Sequence, residues 1–102
     1  MSAVIGFSSV RERIIFAAKR RARLLSKLAN EKHDATPEEK LEIAELADAI
    51  AFGVPHTTEE AQAQYALARE ISDLIRDNVY SFRDAERFSA AMSSAKRFLH
   101  IP

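Results

Sequence analysis

Between Ser9 and Asn30 the apolar residues recur three and four positions apart, which is the period of one face of a helix. At about 100° per residue, Val10, Ile14, Ala17, Ala18, Leu24, Leu25 and Leu28 share one arc. Arg13, Lys19, Arg20, Arg23 and Lys27 share the opposite arc. Ser9 followed by Glu12 has the form of a capping box, in which each side chain satisfies a backbone N–H left free at the helix start. The pattern predicts a first helix over 9–30, with Asn30 as a left-handed terminator.

The same period returns three times. Thr36-Pro37-Glu38-Glu39 combines an N-cap threonine, a proline at the first helical position and a glutamate three residues on, so a second helix is predicted over 37–52. Gly53 is expected to supply a left-handed stop, and Pro55 prevents continuation. The inner face of this helix reads Ile43, Leu46, Ala47 and Ile50. Glu38, Glu42, Glu45 and Asp48 form what reads as a solvated stripe on the other side. Leu41 and Phe52 fall on that acidic side and call for a second contact. Thr57-Thr58-Glu59-Glu60 opens a third helix over 58–78, with Ala61, Tyr65, Ala68, Ile71, Leu74 and Ile75 facing inward. Ser81 and Asp84 cap a fourth over 82–99, where Ala85, Phe88, Met92, Ala95 and Leu99 recur at helical spacing. No segment alternates with period two. The expected fold is all-α, an antiparallel four-helix bundle forming a single domain over residues 1–102. Its apolar arcs are wide for one small chain, so a homodimer with the first helix near its interface is expected.

Two residues of the first helix break its pattern. Phe16 lies in the middle of the basic arc, ringed by Arg13, Lys19, Arg20 and Arg23. Either a fourth helix or a partner's core covers it, or it is an aromatic anchor inside a charged rim. Arg21 lies in the apolar arc between Ile14, Leu25 and Leu28. Either its stem lies on the core edge with the guanidinium reaching water, or it is buried against a carboxylate from the middle of the chain.

Charge sharpens this picture. The net charge is zero, yet residues 1–33 hold eight Lys/Arg against two acids, and residues 34–78 hold three against eleven. Such segregation serves either pairing within a bundle or dimer, or capture of an oppositely charged partner. With 47% hydrophobic and 29% charged residues the chain reads as globular. The start MSAVIGF lacks the pattern of a signal peptide, and no window reaches the length of apolar sequence that spans a membrane. A cytoplasmic protein without membrane contact is expected.

Candidate chemistry is sparse. There is no cysteine, and His33, His56 and His100 do not stand at metal-ligating spacing, so no metal is expected. With Gly6 and Gly53 the only glycines, no phosphate cradle and no cofactor are expected either. A hydrolytic carboxylate pair needs an enclosed pocket, which an exposed acidic stripe does not provide. The expectation is a non-enzymatic protein.

The stretch Ile43-Ala44-Glu45-Leu46-Ala47-Asp48-Ala49-Ile50, followed by Gly53-Val54-Pro55-His56-Thr57-Thr58, resembles the helix-turn-helix of bacterial repressors. The resemblance covers about sixteen residues and implies DNA reading by the helix that begins at Thr58. Two features depart from that pattern. Ala51-Phe52 lengthens the approach to the turn, and Glu59 and Glu60 stand where a DNA reader carries positive charge.

The functional expectation is a small helical interaction protein, a regulator or inhibitor acting by binding another protein and itself. The partner-binding residues expected are Arg13, Phe16, Lys19, Arg20, Arg23 and Lys27. Two alternatives stand beside it. One is a nucleic-acid binder using the basic face of the first helix, with Phe16 stacking on a base. The other is an acidic mimic in which residues 38–60 imitate a nucleic-acid backbone.

Overall fold

The computed structural model of the chain describes residues 14–31 and 34–101. Within them lie four α-helices and no strand: α1 (Ile14–Glu31), α2 (Pro37–Phe52), α3 (Thr58–Arg76) and α4 (Phe82–Leu99). The predicted capping box of Ser9 and Glu12, together with Arg13, lies outside the described residues.

Local chemistry sets the starts of α2, α3 and α4. Thr36 accepts the N–H of Glu39 and the Glu39 carboxylate returns to the N–H of Thr36, so two donors free at the start of α2 are satisfied reciprocally. Ser81 and Asp84 form the same box at α4. At α3, Thr57 accepts the N–H of Glu60, but Glu60 sends its own carboxylate elsewhere, to the N–H of His56 and of Ile15.

Three of the expected helix ends are corrected. Asn30 is not a terminator, because α1 runs on through it to Glu31. Gly53 is not left-handed; its φ of −78° and ψ of 167° are extended. Glycine is required there for space. A Cβ on Gly53 would stand 2.7 Å from the Ala49 carbonyl oxygen and 2.8 Å from Cγ1 of Ile14, so the start of α1 passes directly over the end of α2. The third helix ends at Arg76, two residues early. Asn78 takes the left-handed conformation and Val79 N–H closes back on the Leu74 carbonyl, a Schellman-type ending.

The helices pack as two hairpins. α3 against α4 is the most extensive contact and α1 against α2 the next, while α2 also touches α4 and α3. The core between them is small-residue rich: Ile14, Ala17, Ala47, Ile50, Ala51, Leu67, Ala68, Ile71 and Ala91 are buried together. Alanine at so many positions lets the helix backbones approach closely. Ala51, Leu67 and Ala91 join this core beyond the faces read from the sequence, and Leu74, expected inside, is exposed.

Among the described residues two buried positions are polar, Glu60 and Gln64. Gln64 has no exposed surface, and its amide donates to the carbonyls of Ile50 and Gly53. Those oxygens belong to the end of α2, where helical partners run out. Gln64 therefore caps one hairpin from inside the other.

Candidate interaction face on α1 and α2

On α1, positions 16, 19, 20, 23 and 27 fall on one side of the helix, as the period requires. The structure brings together five of the six expected partner-binding residues: Phe16, Lys19, Arg20, Arg23 and Lys27. Phe16 keeps 62% of its surface exposed. The expectation that a fourth helix covers it is corrected, because α4 packs on α3 and α2 and leaves the outer side of α1 open.

The five are not electrostatically equal. Arg20 pairs with Glu42 of α2, and Lys27 pairs with Glu39 of α2 at 3.4 Å and with Glu31 at 3.7 Å. Glu39 also accepts the Thr36 N–H. That backbone hydrogen bond, with help from Lys27, holds its carboxyl below the ordinary value against a desolvation effect in the other direction. Lys19 and Arg23 form no ion pair among the described residues. Arg20, Arg23, Leu24, Lys27, Glu39 and Glu42 line a shallow cleft where the two helices meet. Part of the charge segregation seen in sequence, the Arg20–Glu42 and Lys27–Glu39 pairs, is thus pairing between the two arms of one hairpin.

The acidic stripe of α2 divides in the same way, which corrects its reading as a uniformly solvated face. Glu42 goes to Arg20, and Asp48 faces α4, where it accepts from Arg87 at 2.7 Å and from Arg83 at 3.2 Å. Burial works to raise the Asp48 carboxyl, but these hydrogen bonds and positive charges prevail and hold it below its ordinary value. Asp84 behaves likewise: desolvation raises it, and bonds from Ser81 and Arg87 bring it lower. Glu38, Leu41 and Glu45 are left on the outer side of α2. Leu41, expected to have a second contact, is 60% exposed, whereas Phe52 has found one, with the Arg83 guanidinium 4.6 Å above its ring.

For Arg21 the structure combines the two sequence readings: a stem on the core edge and a carboxylate from the middle of the chain, in a pair that stays at the surface. Its side chain keeps only 17% of its surface and makes a two-pronged contact with Glu70 of α3, at 3.1 and 3.3 Å. Its Nε is buried and has no hydrogen-bond partner among the described residues.

Four residues with clear structural work were not foreseen: Glu60, Gln64, Arg83 and Arg87. The only sequence signal for any of them was the capping motif around Glu60. The others depend on which helix lies opposite, which a one-dimensional period does not contain.

In the helix-turn-helix resemblance the outer side of the third helix would face DNA, and there Glu59, Glu70 and Asp73 stand exposed beside Arg69 and Arg76. The helix that would read DNA is α3, and Glu60, Ala61, Gln64, Leu67, Ala68 and Ile71 are buried in it. No group of His, Cys, Asp or Glu among the described residues could hold a metal ion, and no described helix is long and apolar enough to cross a membrane. No protein family matches this chain, and neither a curated protein nor a solved structure matches it. The face formed by Phe16, Lys19 and Arg23 offers an exposed aromatic ring followed along the helix by two cations, a set of groups suited to holding a surface.

Proposed function

We propose that this chain is a small non-enzymatic interaction protein, a regulator or inhibitor that acts by protein contact through the outer face of α1. The observation that carries the reading is the exposure of Phe16 beside two cations, Lys19 and Arg23, that lack an ion-pair partner among the described residues. An exposed aromatic framed by polar groups is the composition of a binding hot spot with its rim. A cytoplasmic setting goes with this proposal.

The ion pairs favour a protein over a nucleic acid as partner. Affinity for a polyphosphate grows with the number of phosphates neutralised. Arg20 and Lys27 are already paired with Glu42 and Glu39, which removes two of the cations that the basic face would bring. The same pairs weaken the acidic-mimic alternative, because Glu39, Glu42 and Asp48 face basic residues of this chain.

The test is to place a photo-crosslinking amino acid at position 16 and irradiate the native cell. The expected adducts are destroyed by protease and resist nuclease. Adducts that nuclease removes, or no more protein adducts at position 16 than at position 62 on α3, would overturn the reading.

A further inference from the structure

The outer side of the α1–α2 hairpin carries two parallel stripes of opposite character. On α1, Phe16, Lys19 and Arg23 stand at i, i+3 and i+7, within an arc of about 60°. On α2, Glu38, Leu41 and Glu45 stand at the same spacing, again within about 60°, and Phe52 continues the line. One stripe reads aromatic, cation, cation. The other reads acid, leucine, acid and then aromatic. All seven residues are exposed.

The register of the hairpin aligns these stripes end to end. Ile14 lies over Gly53, and Lys27 pairs with Glu39. The two helices are therefore antiparallel, with Phe16 near the level of Phe52 and Arg23 near the levels of Leu41 and Glu45. A two-fold axis lying in the face and parallel to the helices places α1 of one copy on α2 of the other without changing these levels. Phe16 then meets Phe52 of the second copy. Lys19 and Arg23 meet its Glu45 and flank its Leu41, and its Glu38 lies toward the Lys27 end. The same contacts recur by symmetry, so the interface is isologous and closes at two chains.

Resting on the protein-contact reading above, we infer that the protein which fits the outer face of α1 is a second copy of this chain, docked through the Glu38–Leu41–Glu45 stripe of α2. The argument is charge complementarity at matched spacing on one continuous face. Lys19, Arg23, Glu38 and Glu45 have no ion-pair partner among the described residues, while the charges lying between the stripes, Arg20 with Glu42 and Lys27 with Glu39, are paired within the hairpin. A foreign target presenting an acid–leucine–acid stripe would compete with the second copy for the same face.

Charge reversal tests this by sedimentation of the full chain at micromolar concentration. The wild-type protein is expected at twice its 11.4 kDa. The K19E/R23E and E38K/E45K variants, each keeping the wild-type helix spectrum, are each expected at the mass of one chain, because like charges then oppose one another in both halves of the interface. Mixing the two variants restores opposite charges in both halves and is expected to restore the two-chain mass. A wild-type protein that sediments as a single chain overturns the second copy as occupant. So does a reversed variant that remains a dimer, or a mixture that stays monomeric. The crosslinks at position 16 separate that failure from failure of the protein-contact reading, since they report any protein seated on the face.

Discussion

The carboxylate of Glu60 accepts the backbone N–H of Ile15, joining the first turn of α3 to the first turn of α1 across 45 positions of sequence. The same carboxylate takes the N–H of His56 at 2.8 Å, and the residue is nearly fully buried. A negative group at the start of two helices is favoured by their dipoles and by the N–H groups left free there. Glu60 thus fixes how the α1–α2 hairpin sits on the α3–α4 hairpin.

Glu60→Ala removes the acceptor and leaves two N–H groups to find other partners. The expected loss of unfolding free energy is about 1–3 kcal/mol, the usual consequence of stranding buried donors. Glu60→Gln keeps one acceptor oxygen and is expected to lose less. Denaturant titration of the two variants checks the order.

Gly53→Ala is expected to destabilise by about 1–3 kcal/mol, as overpacking does. The added methyl would meet the Ala49 carbonyl and Ile14, and backbone cannot swing away as the end of a long side chain would. Because the φ of Gly53 is ordinary, the loss comes from crowding and not from backbone strain. Thermal or denaturant unfolding showing Gly53→Ala at wild-type stability would contradict the close approach.

The helix starts were legible in the sequence because capping is local: Thr36 with Glu39 and Ser81 with Asp84 bond as their spacing says. The predicted spans of α2 and α4 coincide with the observed ones for the same reason. Gly53 shows the limit. Its place after a helix suggested a left-handed turn, and only the approach of Ile14 reveals that the missing side chain is what matters. Gln64 shows it again, since a polar residue at helical spacing reads as surface until the open end of α2 is seen beside it. Within the candidate face, the basic arc of α1 was visible from periodicity. That Arg20 and Lys27 are neutralised by α2 was not, because it depends on the register between two helices.

Acidification should weaken the fold through Glu39, Asp48 and Asp84. All three carboxyls are held below their ordinary values of 4.5, 3.8 and 3.8 in the folded protein. A depressed folded pKa gives stability that is fully present above the unfolded value and is lost as pH falls through the folded one. Stability is therefore expected to hold from neutral pH to about 5 and to decline below that. Asp48→Asn should flatten the acid limb, since it removes the carboxylate shared by Arg83 and Arg87. Denaturant midpoints measured between pH 7 and pH 3 on both proteins give the comparison.

Arg21 should tolerate an apolar replacement that keeps its length. Its stem lies in a cleft with Leu67 and Ile71, and its partner Glu70 is more than half exposed, so the ion pair itself contributes little. Arg21→Met is expected within about 1 kcal/mol of wild type, and Arg21→Ala below it by the lost packing of the stem. Equal losses in both variants would show that the guanidinium and not the stem is what the site requires.

The most direct measurement is the denaturant midpoint of Phe16→Ala, followed down in protein concentration until it no longer changes with dilution. An exposed contact residue stabilises only the assembled form, so the variant should then match the wild type within about 0.5 kcal/mol, although it unfolds earlier at high concentration. A loss of about 3–5 kcal/mol that persists on dilution is the signature of a truncated core aromatic. That result would place Phe16 in the chain's own interior and contradict the assignment of the outer face of α1 to protein contact.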